Sequence, residues 1–444
     1  MKSCLIKPVL GRIRGALRLS GDKSIAHRAV ILGALSASKT QISNFPVHND
    51  SLATIGVFRS LGIKITPTVL TANSNKITVF GRGLYGLRAP KNDISVGESG
   101  TTLRLLCGVI AGQNFKARLV AGKSLSKRPM LRITQPLRKM GAKISAKKSA
   151  HGMGPEEYPP LIVKGGHLKG IKYNLLVGSA QVKSAVLLAA LFAKGTTTVI
   201  DKFGTRDHTE RMLKAFKAPI KFTQNSITIK KTNKLVSPGK IYIPSDISSA
   251  AFFIVLATIT KDSRILLEKI GLNPTRTGVI NVLNRMGASI KITNIKPNAE
   301  PVGDLIVTNA NLKSTIISSN EVPSLIDELP ILMVAACFAR GKTVFKGVQE
   351  LRVKETDRIK SMVGNLKKMG ANIRVVRRQR SEDIVVKGVS GLFGCAVSSF
   401  GDHRTAMSMI VAGLAAQGTT KIDDVACINK SFPDFIDKIR GFLH

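Results

Sequence analysis

One unit recurs six times along the 444 residues, and this recurrence limits the fold more than any other feature. Each copy has an Ala/Leu-rich run with apolar residues at helical spacing, then a Gly or polar turn, then a β-branched strand. The helical runs are predicted at 24–35, 101–110, 181–193, 248–258, 327–339 and 402–416. The strands that follow are predicted at 39–42, 115–120, 196–200, 264–267, 343–345 and 419–422. A second mark lies between copies. It reads Leu61-Gly62-Ile63, Met140-Gly141-Ala142, Met286-Gly287-Ala288 and Met369-Gly370-Ala371, with Phe216-Lys217-Ala218 as a degraded version. It is the signature of a helix end, a left-handed turn residue and entry into a strand.

The unit is about 75 residues long, beyond the ~20–50-residue periods of solenoids. Six copies in a chain of this length suit two domains of three copies, each with its own core. The turn cluster Ser237-Pro238-Gly239-Lys240 separates the third copy from the fourth. The first 20 residues precede the first copy and are free to pair with the later half. The expected division is therefore 1–20 plus 241–444 for one domain and 21–240 for the other.

The starts of these runs carry the chemistry. Helix N-termini attract anions and disfavour cations. Yet the first run opens with Lys23, Ser24 and Arg28, the second with Gly100 and Arg104, the third with Ser179, Ala180, Gln181 and Lys183, and the sixth with His403 and Arg404. Each start alone reads as an ordinary cap, with Ser24, Ser179 and Asp402 as the capping residues. Cations repeated where the dipole opposes them point to bound anions. The fifth run opens instead with carboxylates, Asp327 and Glu328. Near it, Glu355 stands beside Lys354 and three residues before Arg358, so a helix beginning there would put Glu355 and Arg358 on one face. An acid among anion sites suits proton transfer.

Other classes are disfavoured. The net charge is +41, but the cations are scattered, only 5% of residues are aromatic and there is no Trp. Stacking platforms for nucleic acid are therefore not expected. The seven His form no H-E-x-x-H pair, and the Gly122-Lys123-Ser124 tail lacks the leading Gly of a P-loop. No metal or other cofactor is expected. The five cysteines show no C-x-x-C spacing and read as thiols of a reducing compartment. No signal-peptide core or membrane-length apolar run appears, so the reading is a cytoplasmic protein without a membrane partner. Separately, the chain is expected to be a monomer and to have no specific nucleic-acid partner.

Taken as an ordered set, the motifs resemble the enolpyruvyl transferases. They are Gly-x-Lys-Ser-x-x-x-Arg, Ser-Gly-Thr-x-x-Arg, the Arg128-Pro129 loop, Ser-Ala-Gln-x-Lys, Leu-Arg-Val-Lys-Glu-x-Asp-Arg and Asp-His-Arg, and they span nearly the whole chain. The resemblance implies an α/β (α+β) fold of two similar domains. Each has three βαβαββ-type units in an inside-out barrel, and a two-strand hinge lets the domains close over substrate. It implies transfer of the enolpyruvyl group of phosphoenolpyruvate to the 5-hydroxyl of shikimate 3-phosphate. It places Lys23, Ser24, Arg28, Ser179, Ala180, Gln181, Arg206, Asp327 and Lys354 around shikimate 3-phosphate. It places Lys23, Gly100, Arg128, Gln181, Arg358, His403, Arg404 and Lys430 around phosphoenolpyruvate. Asp327, Glu355 and Lys23 are the implied catalytic residues. Gly100 implies room for the inhibitor glyphosate. Glu98 departs from the pattern, standing where many members carry Asn, and it puts a carboxylate beside the phosphoenolpyruvate clamp. The sister family acting on UDP-N-acetylglucosamine typically carries a reactive Cys in the 125–129 loop; this chain has none.

Overall fold

The computed structural model describes residues 3–9, 11–70, 75–149, 156–379 and 381–442. The chain divides into two compact units, one of Met1–Ser20 with Pro244–His444 and one of Gly21–Ile243. Lys240–Tyr242 pairs in parallel with Lys39–Ser43. The strand beyond the Pro238-Gly239 turn thus belongs to the second unit, and the division falls three residues later than the turn cluster alone suggests.

Among the described residues each unit contains three sheets built on one plan. A short strand runs parallel to the strand after the core helix, which in turn pairs antiparallel with a hairpin. In the second unit Ile94–Ser95 lies against Lys116–Val120, followed by Glu157–Lys164 and Lys143–Lys148. The set Lys172–Asn174, Thr196–Ile200, Ser226–Lys230 and Ile220–Phe222 repeats this order. In the first unit Ile316–Ile317, Lys342–Phe345, Glu382–Lys387 and Asn372–Arg377 do the same. The sixth sheet is reduced to Ala396–Val397, Thr420–Ile422 and Cys4–Ile6.

The leading strands of two copies are exchanged. Arg14–Arg18 precedes the first core helix in sequence but pairs with Arg264–Gly271. Lys240–Tyr242 precedes the fourth core helix but pairs with Lys39–Ser43. The chain therefore passes between units twice, after Ser20 and after Ile243.

Helices occupy the interior. Ile247–Ile259 is apolar around its whole circumference, and all but its last residue are buried. A helix with no polar face has to be buried on every side. Leu329–Cys337 and His403–Leu414 are likewise buried and pack against it. In the second unit Lys23–Leu35, Gly100–Ala111 and Ala180–Ala190 play the same part. The sheets, each with an alternating exposed face such as that of Glu157–Lys164, lie outside them. The turn marks behave as expected, with Gly62, Gly141, Gly287 and Gly370 all at positive φ. In the degraded copy Lys217 takes the left-handed conformation itself, at φ 58°.

Among the described residues no helix is long and apolar enough to cross a membrane. All five cysteines are unbridged, and burial pushes the Cys107 and Cys337 thiols up to about 12.

Candidate active site

The core helices of the second unit begin side by side, and the assigned cations sit at those beginnings. The first helix starts at Lys23, one residue earlier than expected. Its cap is Asp22, which accepts the Ile25 N–H at 2.9 Å; Ser24 lies inside the helix. The Lys23 Nζ donates to Asp50 Oδ2 at 3.0 Å. Asp50 comes from the first turn of the neighbouring Asn49–Ser60 helix, and the sequence reading missed it. His27 and His48 are buried close by. Burial first, and then the Lys23 charge, holds both imidazoles below their usual range, His48 to about 3.

Arg28 is 3% exposed and braces the cluster. Its Nη1 donates to the Ser24 carbonyl at 2.8 Å, its Nε to Thr209 at 2.6 Å and its Nη2 to Ser184 at 2.7 Å. Ser179 caps the third helix, accepting from Val182 N, and Ala180 and Gln181 are that helix's first residues. Gln181 accepts from Arg104 Nη1 at 2.7 Å and donates to Thr101 at 2.9 Å, which ties the second and third helix starts together. Arg206 is half-buried and lies in the loop just before the His208–Ala215 helix. Its loop is fixed from below by Asp201, which accepts the Thr205 N–H and hydroxyl at 3.0 and 2.7 Å. Buried Lys183 holds Asp201 at 2.9 Å and Glu210 at 2.7 Å. Burial lowers the Lys183 pKa, but the two carboxylates outweigh it and hold the ammonium above its ordinary range.

Gly100 is the first residue of the second helix, capped by Ser99. A Cβ added there would lie 3.1 Å from Arg128 Nη1 and 3.2 Å from Arg104 Nη1, so both guanidinium groups reach this helix start. Glu98 accepts the Ser124 and Leu125 N–H groups at 3.1 and 2.8 Å. Its lone pairs are thereby directed at backbone amides.

In the first unit the acids gather on one guanidinium. Arg358 is 1% exposed and begins the Arg358–Lys368 helix. The helix starts there rather than at Glu355. Its Nη2 donates to Glu355 at 2.6 Å, its Nη1 to Asp327 at 3.3 Å and its Nε to Asp402 at 2.9 Å. Burial opposes the charge, but Asp402, Glu355 and Asp327 together raise the Arg358 pKa well above its ordinary value. Asp402 also caps the sixth helix, accepting the Arg404 and Thr405 N–H groups at 2.7 and 3.1 Å. His403 and Arg404 follow it, both buried, and Arg404 Nη1 donates to the Ser248 carbonyl at 3.1 Å. Ser248 in turn donates to buried Glu328 and accepts from Arg276 at 2.8 Å. Lys354 ends the short Gln349–Val353 turn. Lys430 ends the Ala426–Lys430 turn, which packs on the His403–Leu414 helix.

These clusters are two sets of buried helix starts lined with fixed cations, one of which also carries three converging carboxylates. The model for EPSP synthase (3-phosphoshikimate 1-carboxyvinyltransferase) matches residues 9–439. The chain belongs to the EPSP synthase family. It is 45% identical over 441 residues to the 3-phosphoshikimate 1-carboxyvinyltransferase of Desulforamulus reducens, covering 99% of each chain. It is 43% identical over 444 residues to that of Citrifermentans bemidjiense, covering all of both. A solved EPSP synthase from Acinetobacter baumannii superimposes with a TM-score of 0.86 at 40% identity, covering 100% of this chain and 98% of that one. Family motifs located most of these positions from sequence. Asp50 and Arg276 became notable only through their partners, since nothing local distinguishes them from other charged residues.

Proposed function

We propose that the two clusters divide the work of enolpyruvyl transfer. The reaction is the family's: phosphoenolpyruvate donates its enolpyruvyl group to the 5-hydroxyl of shikimate 3-phosphate. Phosphate leaves, and the product feeds chorismate and aromatic amino acid synthesis. In our reading Lys23, Ser24, Arg28, Ser179, the Ala180 backbone, Gln181, Arg206, Asp327 and Lys354 hold shikimate 3-phosphate, Lys23 bridging both substrates. Lys23, Gly100, Arg128, Gln181, Arg358, His403, Arg404 and Lys430 hold phosphoenolpyruvate. Reactants with several negative charges need cations already in place, because preorganised donors cost no reorganisation during reaction.

Asp327 orients the 5-hydroxyl and takes up its proton as the oxygen attacks C2 of phosphoenolpyruvate, while C3 gains a proton and the C2–C3 double bond becomes single. In the second half C3 loses a proton, the double bond re-forms and phosphate departs. Glu355, with Lys23, is assigned the proton at C3. The observation that carries this reading is the convergence of Asp327 and Glu355 on Arg358, at 3.3 and 2.6 Å. Arg358 can offer a nitrogen to phosphoenolpyruvate by releasing one of them, and Asp327 has the longer contact.

The test is phosphate release by purified protein with both substrates and with each omitted in turn. Release should require both. Release with shikimate 3-phosphate absent would remove the assignment. We also read the chain as a cytoplasmic monomer; sedimentation equilibrium at micromolar concentration should return a mass near 47.7 kDa.

A further inference from the structure

Glu98 has no part in the roles assigned above, yet it joins the two loops that carry Gly100 and Arg128. Its Oε1 accepts the Ser124 N–H at 3.1 Å and its Oε2 the Leu125 N–H at 2.8 Å. Those amides open the Leu125–Lys127 turn, and Arg128 closes it with its N–H on the Leu125 carbonyl at 3.0 Å. The next residue after Glu98, Ser99, caps the helix that begins at Gly100. The backbones of the two loops are also linked directly, Gly122 N–H to the Gly97 carbonyl at 2.8 Å. Gly122 leaves the space that the carboxylate occupies, since a Cβ there would lie 2.6 Å from Glu98 Cδ. No other Asp or Glu occurs between Glu98 and Glu156, and the nearest acid before it, Asp93, pairs with Arg118.

We propose that Glu98 is a positioning residue for phosphoenolpyruvate. It draws the 122–128 loop against the 97–100 loop and so sets the Arg128 guanidinium above the helix start at Gly100. The proposal rests on the reading of Arg128 and Gly100 as phosphoenolpyruvate ligands. A carboxylate is suited to the task because two acceptor oxygens meet two N–H donors, and charge strengthens both bonds. An amide at this position satisfies one donor and presents its own NH2 to the other. The acid is electrostatically tolerable near an anionic substrate because backbone donors take up its lone pairs.

Steady-state kinetics on Glu98→Gln, Glu98→Ala, Gly122→Ala and the double variant Glu98→Ala/Gly122→Ala test this. A misplaced clamp costs on the order of tenfold to a hundredfold. Glu98→Ala should raise KM for phosphoenolpyruvate by about that factor, Glu98→Gln by less, and both should leave KM for shikimate 3-phosphate within about twofold. Gly122→Ala should raise the same KM, and should add little once Glu98 is Ala, because the atoms it collides with are gone. Hydrogen exchange at Ser124 and Leu125 should quicken in both Glu98 variants. Equal rises in both KM values, or fully additive effects of Glu98→Ala and Gly122→Ala, would overturn the proposal. An unchanged phosphoenolpyruvate KM in Glu98→Ala would also overturn it, leaving the Arg128 assignment intact if Arg128→Ala raises that KM. If Arg128→Ala leaves that KM unchanged too, the ligand assignment itself fails and the proposal with it.

Discussion

Glu355→Gln separates the chemical step from binding and folding. The side chain keeps its shape, and an amide oxygen can still accept from Arg358 Nη2, now 2.6 Å from the carboxylate. Arg358 retains Asp402 and Asp327, so its buried charge is never left alone. The structural cost is the difference between a charged and a neutral hydrogen bond at a side chain 20% exposed, about 1 kcal/mol. For a domain of this size that lowers Tm by about 2–4 °C. The chemical cost is larger. Loss of a general acid–base group removes about 10²–10⁴ in rate, or roughly 3–5.5 kcal/mol of barrier. The assay is phosphate release at saturating substrates, with calorimetric titration of shikimate 3-phosphate and a thermal scan on the same preparation. The expected result is near-normal affinity, a small Tm change and turnover reduced at least a hundredfold. Turnover within about threefold of the unaltered protein would refute the assignment of proton transfer to Glu355. A collapse of stability would show that its charge is needed for the fold, contrary to the argument from Arg358's other two partners.

Three further predictions follow from the same geometry. Gly100→Ala places a methyl group 3.1 Å from Arg128 Nη1, and overpacking of this kind costs about 1–3 kcal/mol. KM for phosphoenolpyruvate should rise by about tenfold; glyphosate should inhibit the unaltered protein and lose potency against this variant, as inhibition titrations would show. Asp402→Ala removes a helix cap and a partner of buried Arg358, a loss of about 3–5 kcal/mol that should lower Tm by about 10 °C. Asp402→Asn, which keeps the cap, should lose less. The buried imidazole of His48 has a depressed folded pKa, so the unfolded chain binds the proton first as pH falls. Its contribution is complete above the unfolded value near 6.5 and is lost as pH falls towards about 3. Between pH 7.5 and pH 5 that loss is about 2 kcal/mol, and urea midpoints should follow it. His48→Asn keeps an N-cap for Ser51 N–H and should flatten the slope.

What the sequence determined by itself was local. Apolar spacing and β-branched runs identified six helix–strand units, and the Gly marks located turns whose left-handed backbone the structure contains. Motifs also marked the helix starts, because a cap, a cation and a helix face lie within a few residues of one another. Glu355 was legible next to Arg358 for that reason, being three residues away. The tertiary structure decided what depends on distant pairing. The exchange of Arg14–Arg18 and Lys240–Tyr242 between the two units' sheets is invisible to periodicity, because either strand has the same local pattern wherever it pairs. Asp50 meets Lys23 across 27 residues, so packing alone distinguishes it from other acids; Asp402 is legible as a helix cap, but its pairing with Arg358 across 44 residues is decided by packing. Glu98 is the clearest case. Its residue type suggested a charge out of place, whereas two backbone amides from another loop make that charge a fastening. A side chain's chemistry is given by its identity, but its partners are chosen by how the helices and sheets bury one another.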